Sequence, residues 1–179
     1  RVRSSAASDV YKRQIMSGFI YLSREGMEKL KDELNNLKSI ERPKIINQIA
    51  EARDKGDLSE NAEYDAAKEA QGLLEARIAR LENELSKSRV LDEKNIDLST
   101  AKLLTTVKIE NIQSKQKMSY TLVSESEADL KNKKISISSP IGRGLMGKKV
   151  GETVDISVPS GVIKFKILDI TIWVHIQYL

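Results

Sequence analysis

The chain has no cysteine and a single histidine, and aromatic residues make up only 4% of its 179 positions. Without thiols there are no disulfides and no thiolate metal sites, so a reducing cytoplasm is the expected setting. One imidazole, His175, cannot build a histidine metal cluster or a convergent catalytic set, and its place near the C-terminus suits an exposed tail residue. A shortage of aromatics fits a coiled coil packed with Leu, Ile and Ala better than a large aromatic-filled core. No apolar run reaches the roughly 20 residues needed to cross a bilayer, and residues 1–15 lack the apolar centre of a secretory signal, so no membrane partner is expected. The net charge of +4 is mild and its Lys and Arg are interleaved with Asp and Glu, which excludes a dedicated nucleic-acid-binding tail.

What is present divides the chain near residues 92–101, read as a linker. Residues 1–15 are basic and serine-rich without helical or strand periodicity, and Met16 follows them as a start residue would, so they are read as a non-native leader. Residues 173–179 are read as a similar tail, with Trp173 an edge or tail aromatic. Between residues 16 and 91 the apolar positions follow a helix period. Met27, Leu30, Leu34 and Leu37 recur at alternating steps of three and four after a candidate N-cap at Ser23, and the pattern continues through Ile45, Ile46, Ile49 and Ala52. Pro43 lies inside this run and predicts a bend or a one-turn interruption, because it lacks a backbone donor and clashes with the preceding turn. Gly56 supplies a left-handed helix end. A second period, Ala66, Ala67, Ala70, Leu74, Ile78, Leu81 and Leu85, offers a matching stripe. The two predict an antiparallel coiled-coil hairpin whose alanines make the tip narrow.

From residue 102 to 172 the period changes to two. Val107 and Ile109, Tyr120 and Leu122, Ile135 and Ile137, Val154 and Ile156, and Phe165 and Ile167 mark five strands. Pro140 to Leu145 reads as a short helix with proline in its first turn, and Ser160-Gly161 as the last hairpin turn. The fold class is therefore α+β: a coiled-coil helical hairpin followed by a small antiparallel sheet domain with one short helix. Gly142-Arg143-Gly144-Leu145-Met146-Gly147 matches G-x-G-x-x-G, but the segment before Val154 is too short for the crossover helix of a dinucleotide site, and a glycine-rich helix end is the better reading.

The hairpin tip is the chemically suggestive segment. Asp57, Glu60, Glu63 and Asp65 crowd the reverse turn. Asp57-Leu58-Ser59-Glu60 fits a capping box, with Asp57 as N-cap and Glu60 three residues on, and first-turn acids favour the helix dipole. Two carboxylates one helical turn apart also suit a hard divalent cation, although they would leave most of a Mg2+ shell to be filled from another protein. On the residues alone the two readings stand equal.

The run Glu51-Ala52-Arg53-x-x-Gly56-Asp57-Leu58-Ser59-Glu60-Asn61-Ala62-Glu63-Tyr64-x-Ala66-Ala67-Lys68-Glu69, with Arg42-Pro43 before it and Ser139-Pro140-Ile141-Gly142-Arg143-Gly144-Leu145 after it, closely resembles the bacterial transcript-cleavage and elongation factors of the GreA/GreB family. The likeness runs from about Phe19 to Ile170, and its wording at the tip is GreA-like. It implies a monomeric factor that binds RNA polymerase, passes its coiled coil through the secondary channel and holds the channel rim with an FKBP-like domain. Asp57 and Glu60 match the family's acids that assist Mg2+ and the attacking water when backtracked RNA is cut near its nascent 3′ end. The resemblance implies no cofactor of the chain's own; the metal is shared with the polymerase, whose cleavage activity the chain would activate without being an enzyme. Arg53 and Lys68 match a basic patch for RNA phosphates, and Ser139, Pro140 and Ile141 match a docking loop. Ser138 departs from the Asp or Asn common in relatives. Three other readings compete: a channel-binding inhibitor of the same architecture, which the intact Asp57 and Glu60 oppose; a peptidyl-prolyl isomerase, suggested by the implied fold alone; and a purely structural coiled coil, which needs no constrained tip.

Overall fold

The computed structural model describes residues 18–91 and 96–173, without the side chain of Leu58. The leader, His175 and part of the linker therefore lie outside the described residues. The remainder forms two compact units, one running Arg24–Ser88 and the other made of the described residues before Arg24 together with those from Arg89 onward.

Helix α1 (Arg24–Asn36) starts directly after Ser23. It continues as a π-helical turn over Leu37–Glu41 and then as α2 (Arg42–Asp54), with Pro43 in the first turn of α2. The sequence calls for an interruption there, and its form follows from counting. Leu30, Leu34 and Leu37 are buried on one stripe, and the buried stripe resumes at Ile49 and Ala52 with Ile45 half-buried. The step from Leu37 to Ile45 is one residue longer than a heptad, so a continuous α-helix would carry Ile49 and Ala52 off the seam by about 100°. A π turn absorbs the extra residue, and the Arg42 N–H accordingly donates to the Leu37 carbonyl five residues back. Ile46, assigned above to the apolar stripe, is 50% exposed because it falls just beside it. The facing arm α3 (Ala62–Lys87) is a regular 26-residue helix, with Ala67, Leu74, Ile78 and Leu81 buried. Ion pairs tie the arms together: Arg42 to Glu75 through two 2.7 Å bonds, Arg77 to Glu33 at 2.5 Å, and Lys38 to Glu82. Exposed pairs of this kind fix register more than they stabilise.

In the other unit, short strands β1 (Ile20–Leu22) and β2 (Ser88–Val90) pair with each other. A five-stranded sheet has the order β5-β4-β3-β7-β6, built from β3 (Thr105–Asn111), β4 (Lys117–Val123), β5 (Lys134–Ser136), β6 (Thr153–Val158) and β7 (Gly161–Ile172). The α+β expectation holds, with one difference in direction. β4 and β5 are parallel, pairing Thr121 with Lys134 and Val123 with Ser136, because the ten residues between them carry the chain back to the starting end of β4. Ile167 and Ile170 both reach the core although they are three positions apart, an odd step, since the β3–β7 register shifts between Lys108 and Ile109. The β6–β7 turn is Pro159-Ser160, one residue earlier than expected, and Gly161 pairs with Val158 at φ 127°.

Two boundary residues also differ from the sequence reading. Ala101, placed in the linker, is fully buried in the sheet core and exchanges bonds with Lys148 O and Gly147 N at 2.8 and 2.7 Å. Trp173, placed in the tail, donates its N–H to Leu104 O, and its ring lies 4.4 Å from the Lys134 ammonium. The G-x-G-x-x-G segment is structural. Its first four residues lie in the six-residue helix α4 (Pro140–Leu145), where a Cβ on Gly142 would stand 2.1 Å from the Ser136 carbonyl oxygen and one on Gly144 would stand 2.9 Å from Ile156 Cγ1. Gly142→Ala is therefore expected to destabilise the protein by at least about 2 kcal/mol, because its clash is with backbone, whereas Gly144→Ala meets a side chain that can turn and costs less. Denaturant midpoints of the two variants against the parent check the ranking.

Candidate functional site

The tip is built between the end of α2 and the start of α3. After Asp54 the chain turns through Lys55 and Gly56, the latter at φ 124°, a conformation that glycine adopts without a Cβ penalty. Asp57 then caps a single 3-10 turn, Leu58–Glu60. Its Oδ1 accepts from the Ser59 N–H at 2.9 Å and the Ser59 hydroxyl at 2.8 Å. These bonds, the backbone one foremost, hold the Asp57 carboxyl below the usual carboxylate range. Asp57, Ser59 and Glu60 are all exposed.

The long helix is capped by a different residue. Asn61 Oδ1 accepts from the Tyr64 N–H at 3.0 Å, and Asn61 Nδ2 donates to the Ala52 carbonyl at 2.7 Å across the turn. The capping box of Asp57 and Glu60 on α3 is thus corrected: Glu60 ends the 3-10 turn before the cap and is not the third residue of the helix. Capping explains Asp57 only for its own turn and does not explain Glu60. The sequence signal for Asn61 was an amide directly before Ala62-Glu63-Tyr64-Asp65, a helix start with acids in its first turn. Glu63 pairs with Lys55 at 2.5 Å, and this bond raises the Lys55 pKa.

Below the acids, Ala52 and Ala67 are buried where the arms face each other, whereas Ala66, assigned above to the same stripe, is exposed. An open depression of about 340 Å³ beside them is edged by Glu51, Lys55 and Glu63. Arg53 is exposed in the last turn of α2, and Lys68 is exposed on α3 with its ammonium 2.7 Å from Gln71 Oε1. One site residue set thus shares the hairpin: Asp57 and Glu60 on the turn, with Arg53 and Lys68 on the two helices.

Ser139, Pro140 and Ile141 belong to the sheet unit. The Ser139 hydroxyl is used within the fold, accepting from Gly142 N at 3.0 Å and donating to Ser136 O at 2.6 Å. Pro140 is exposed and Ile141 packs partly into the core, so Pro140 and the exposed Ser138 are what this segment offers a partner.

Among the described residues no group of three or more His, Asp or Glu side chains is placed to hold a metal ion.

An acid-tipped hairpin and a small mixed sheet in one chain are the two parts of a known class. The model for the N-terminal domain of transcription elongation factors matches residues 20–90, and that for the GreA/GreB C-terminal domain matches residues 97–172. The transcription elongation factor GreA of Flavobacterium psychrophilum is 60% identical over 156 residues, covering 87% of this chain and 99% of that one. GreA of Christiangramia forsetii is 56% identical, covering 87% of this chain and 98% of that one. The chain belongs to the GreA/GreB family of transcription elongation factors. Among solved structures, the GreA factor homolog 1 of Thermus thermophilus is 28% identical, covering 85% of this chain and 98% of that one, with a TM-score of 0.40.

The caps can be told apart by experiment. Asn61→Ala removes the cap of α3 and the bond to Ala52, and is expected to lower stability by about 1–2 kcal/mol; Asp57→Ala loses only the 3-10 turn and should shift the melt less. The contribution of Asp57 is present above its unfolded pKa and is lost as pH falls through its lowered folded value. The difference between parent and Asp57→Ala should therefore vanish in strong acid.

Proposed function

We propose that this chain acts on RNA polymerase: its hairpin tip enters the secondary channel, and Asp57 and Glu60 are added to the polymerase's own Mg2+-dependent site to speed cleavage of backtracked RNA. The observation that carries this reading is the release of both acids from the cap of α3, a task that Asn61 performs. Asp57 is held by Ser59 in a turn with its carboxyl ionised, and Glu60 stands exposed beside it. Family membership supports the same reading, because relatives 56–60% identical to this chain are named as transcription elongation factors.

In two-metal phosphodiester hydrolysis, bound Mg2+ activates water and stabilises the leaving oxygen. The chain's own residues then have distinct tasks. Glu60 and the free oxygen of Asp57 supply carboxylate donors or accept a proton from the attacking water. Arg53 and Lys68, one on each arm, draw the extruded RNA phosphates along the hairpin. Pro140 and the flanking Ser138 offer the sheet unit's contact to the channel rim. An inhibitor of the same architecture would occupy the channel without donating carboxylates, and the exposure of Asp57 and Glu60 favours stimulation.

Added to stalled, backtracked polymerase, the protein is expected to shorten the RNA, while naked RNA with Mg2+ survives. Asp57→Ala and Glu60→Ala should each reduce stimulated cleavage by roughly 100- to 1,000-fold, the range for lost acid–base or electrostatic groups, with polymerase binding nearly intact. Normal cleavage by both variants would leave the acids without this role. Arg53→Glu combined with Lys68→Glu should weaken crosslinking to the RNA 3′ end, and more so for longer extruded segments.

A further inference from the structure

The two arms of the hairpin are built to different counts. Arm α3 follows heptad steps through Ala67, Leu74, Ile78 and Leu81, whereas the facing arm inserts one residue between Leu37 and Ile45 and confines it to the π turn Leu37–Glu41. An inserted residue changes the rotational phase of everything beyond it: without the π turn, α2 would be rotated by about 100° relative to α1. Three features hold the turn. Pro43 lacks the N–H that a continuous α-helix would use at that point. The Ser39 hydroxyl donates to the Asn35 carbonyl at 2.7 Å. Immediately beyond the turn, the Arg42 guanidinium reaches across and grips both oxygens of Glu75 on the regular arm, each at 2.7 Å. The side chains of this pair are 35% and 45% exposed, so solvent screens much of its attraction while the two-point contact fixes an orientation.

The geometry points to a phase-setting device: the π turn Leu37–Glu41 sets the rotation of the distal hairpin, and the Arg42–Glu75 fork locks it, so that Asp57 and Glu60 leave the tip in one fixed direction. Arg42 and Glu75 are positioning residues that act through the helix. This inference rests on the proposed role of the tip acids. A displacement of about 1 Å in a reacting group can cost about 100-fold in rate, so a loosened phase should be visible in the chemistry long before the hairpin unfolds.

Deletion of Ile40 is not a test, because it removes the extra residue together with the turn that absorbs it, and a continuous helix would then keep Ile49 and Ala52 on the seam. The discriminating variants are therefore Arg42→Lys, which keeps the charge and loses the fork, and Glu75→Gln, together with the exchange Arg42→Glu/Glu75→Arg. Two measurements are made on each in the full-length protein. The first is the rate of RNA cleavage by backtracked polymerase at saturating factor, beside the affinity. Each single variant should lose about tenfold or more in rate with affinity and melting midpoint near the parent's, and the exchange should recover most of the rate. The second does not depend on activity: because the chain has no native cysteine, spin labels at Glu28→Cys and Ala50→Cys report the phase across the turn, and their distance distribution should broaden in the single variants and narrow again in the exchange. Full rate in the single variants, a loss confined to affinity, or an unchanged distance distribution would overturn the inference. Failure of the parent itself to stimulate cleavage, with the distance changes present, would count against the role of the tip and not against the phase lock.

Discussion

One carboxamide closes the hairpin. Asn61 accepts the N–H of Tyr64, the third residue of α3, and donates to the last turn of α2 at Ala52, so the two arms are joined at their ends by a single side chain. Everything exposed at the tip depends on that closure. A carboxylate at position 61 could cap the helix but could not also donate to Ala52. Because an amide does both, the acids before it are relieved of structural work, and the turn Leu58–Glu60 can be spent on presentation. The same economy appears in Asp57, whose Oδ1 takes both bonds from Ser59.

Much of this was legible in residue spacing. Period-two runs located all five strands of the main sheet, and Pro140 with Leu145 bounded the short helix, because alternation and proline at a helix start are local signals. Pro43 announced an interruption. Its form was harder to see, since a π turn is specified by the relation between two stripes, Leu30–Leu37 and Ile49–Ala52, and each stripe looks regular when viewed alone. The exposed Ile46 is the residue left over from that miscount.

What stayed hidden was set by contacts distant in sequence. The parallel pairing of β5 with β4 depends on where a ten-residue excursion returns, and no periodicity records that. Ala101 and Trp173 look like linker and tail by composition, yet both are held by backbone bonds, to Lys148 and Leu104 respectively. At the candidate site the acids were found, but the capping role was assigned to Asp57 and Glu60 when the residue that performs it was Asn61. Acids in a first turn look alike whether they cap, pair with a lysine as Glu63 does, or face solvent. Only the hydrogen bonds separate those uses.

The central claim is that the tip acids stand at the polymerase's metal. Replacing Mg2+ in the polymerase site with Fe2+ and generating hydroxyl radicals there tests it most directly, because radicals cut the nearest backbone. The expected result is scission of this chain confined to residues around 57–60, lost when a competitor occupies the secondary channel. Scission spread along the hairpin, or none while the factor remains bound, would contradict it.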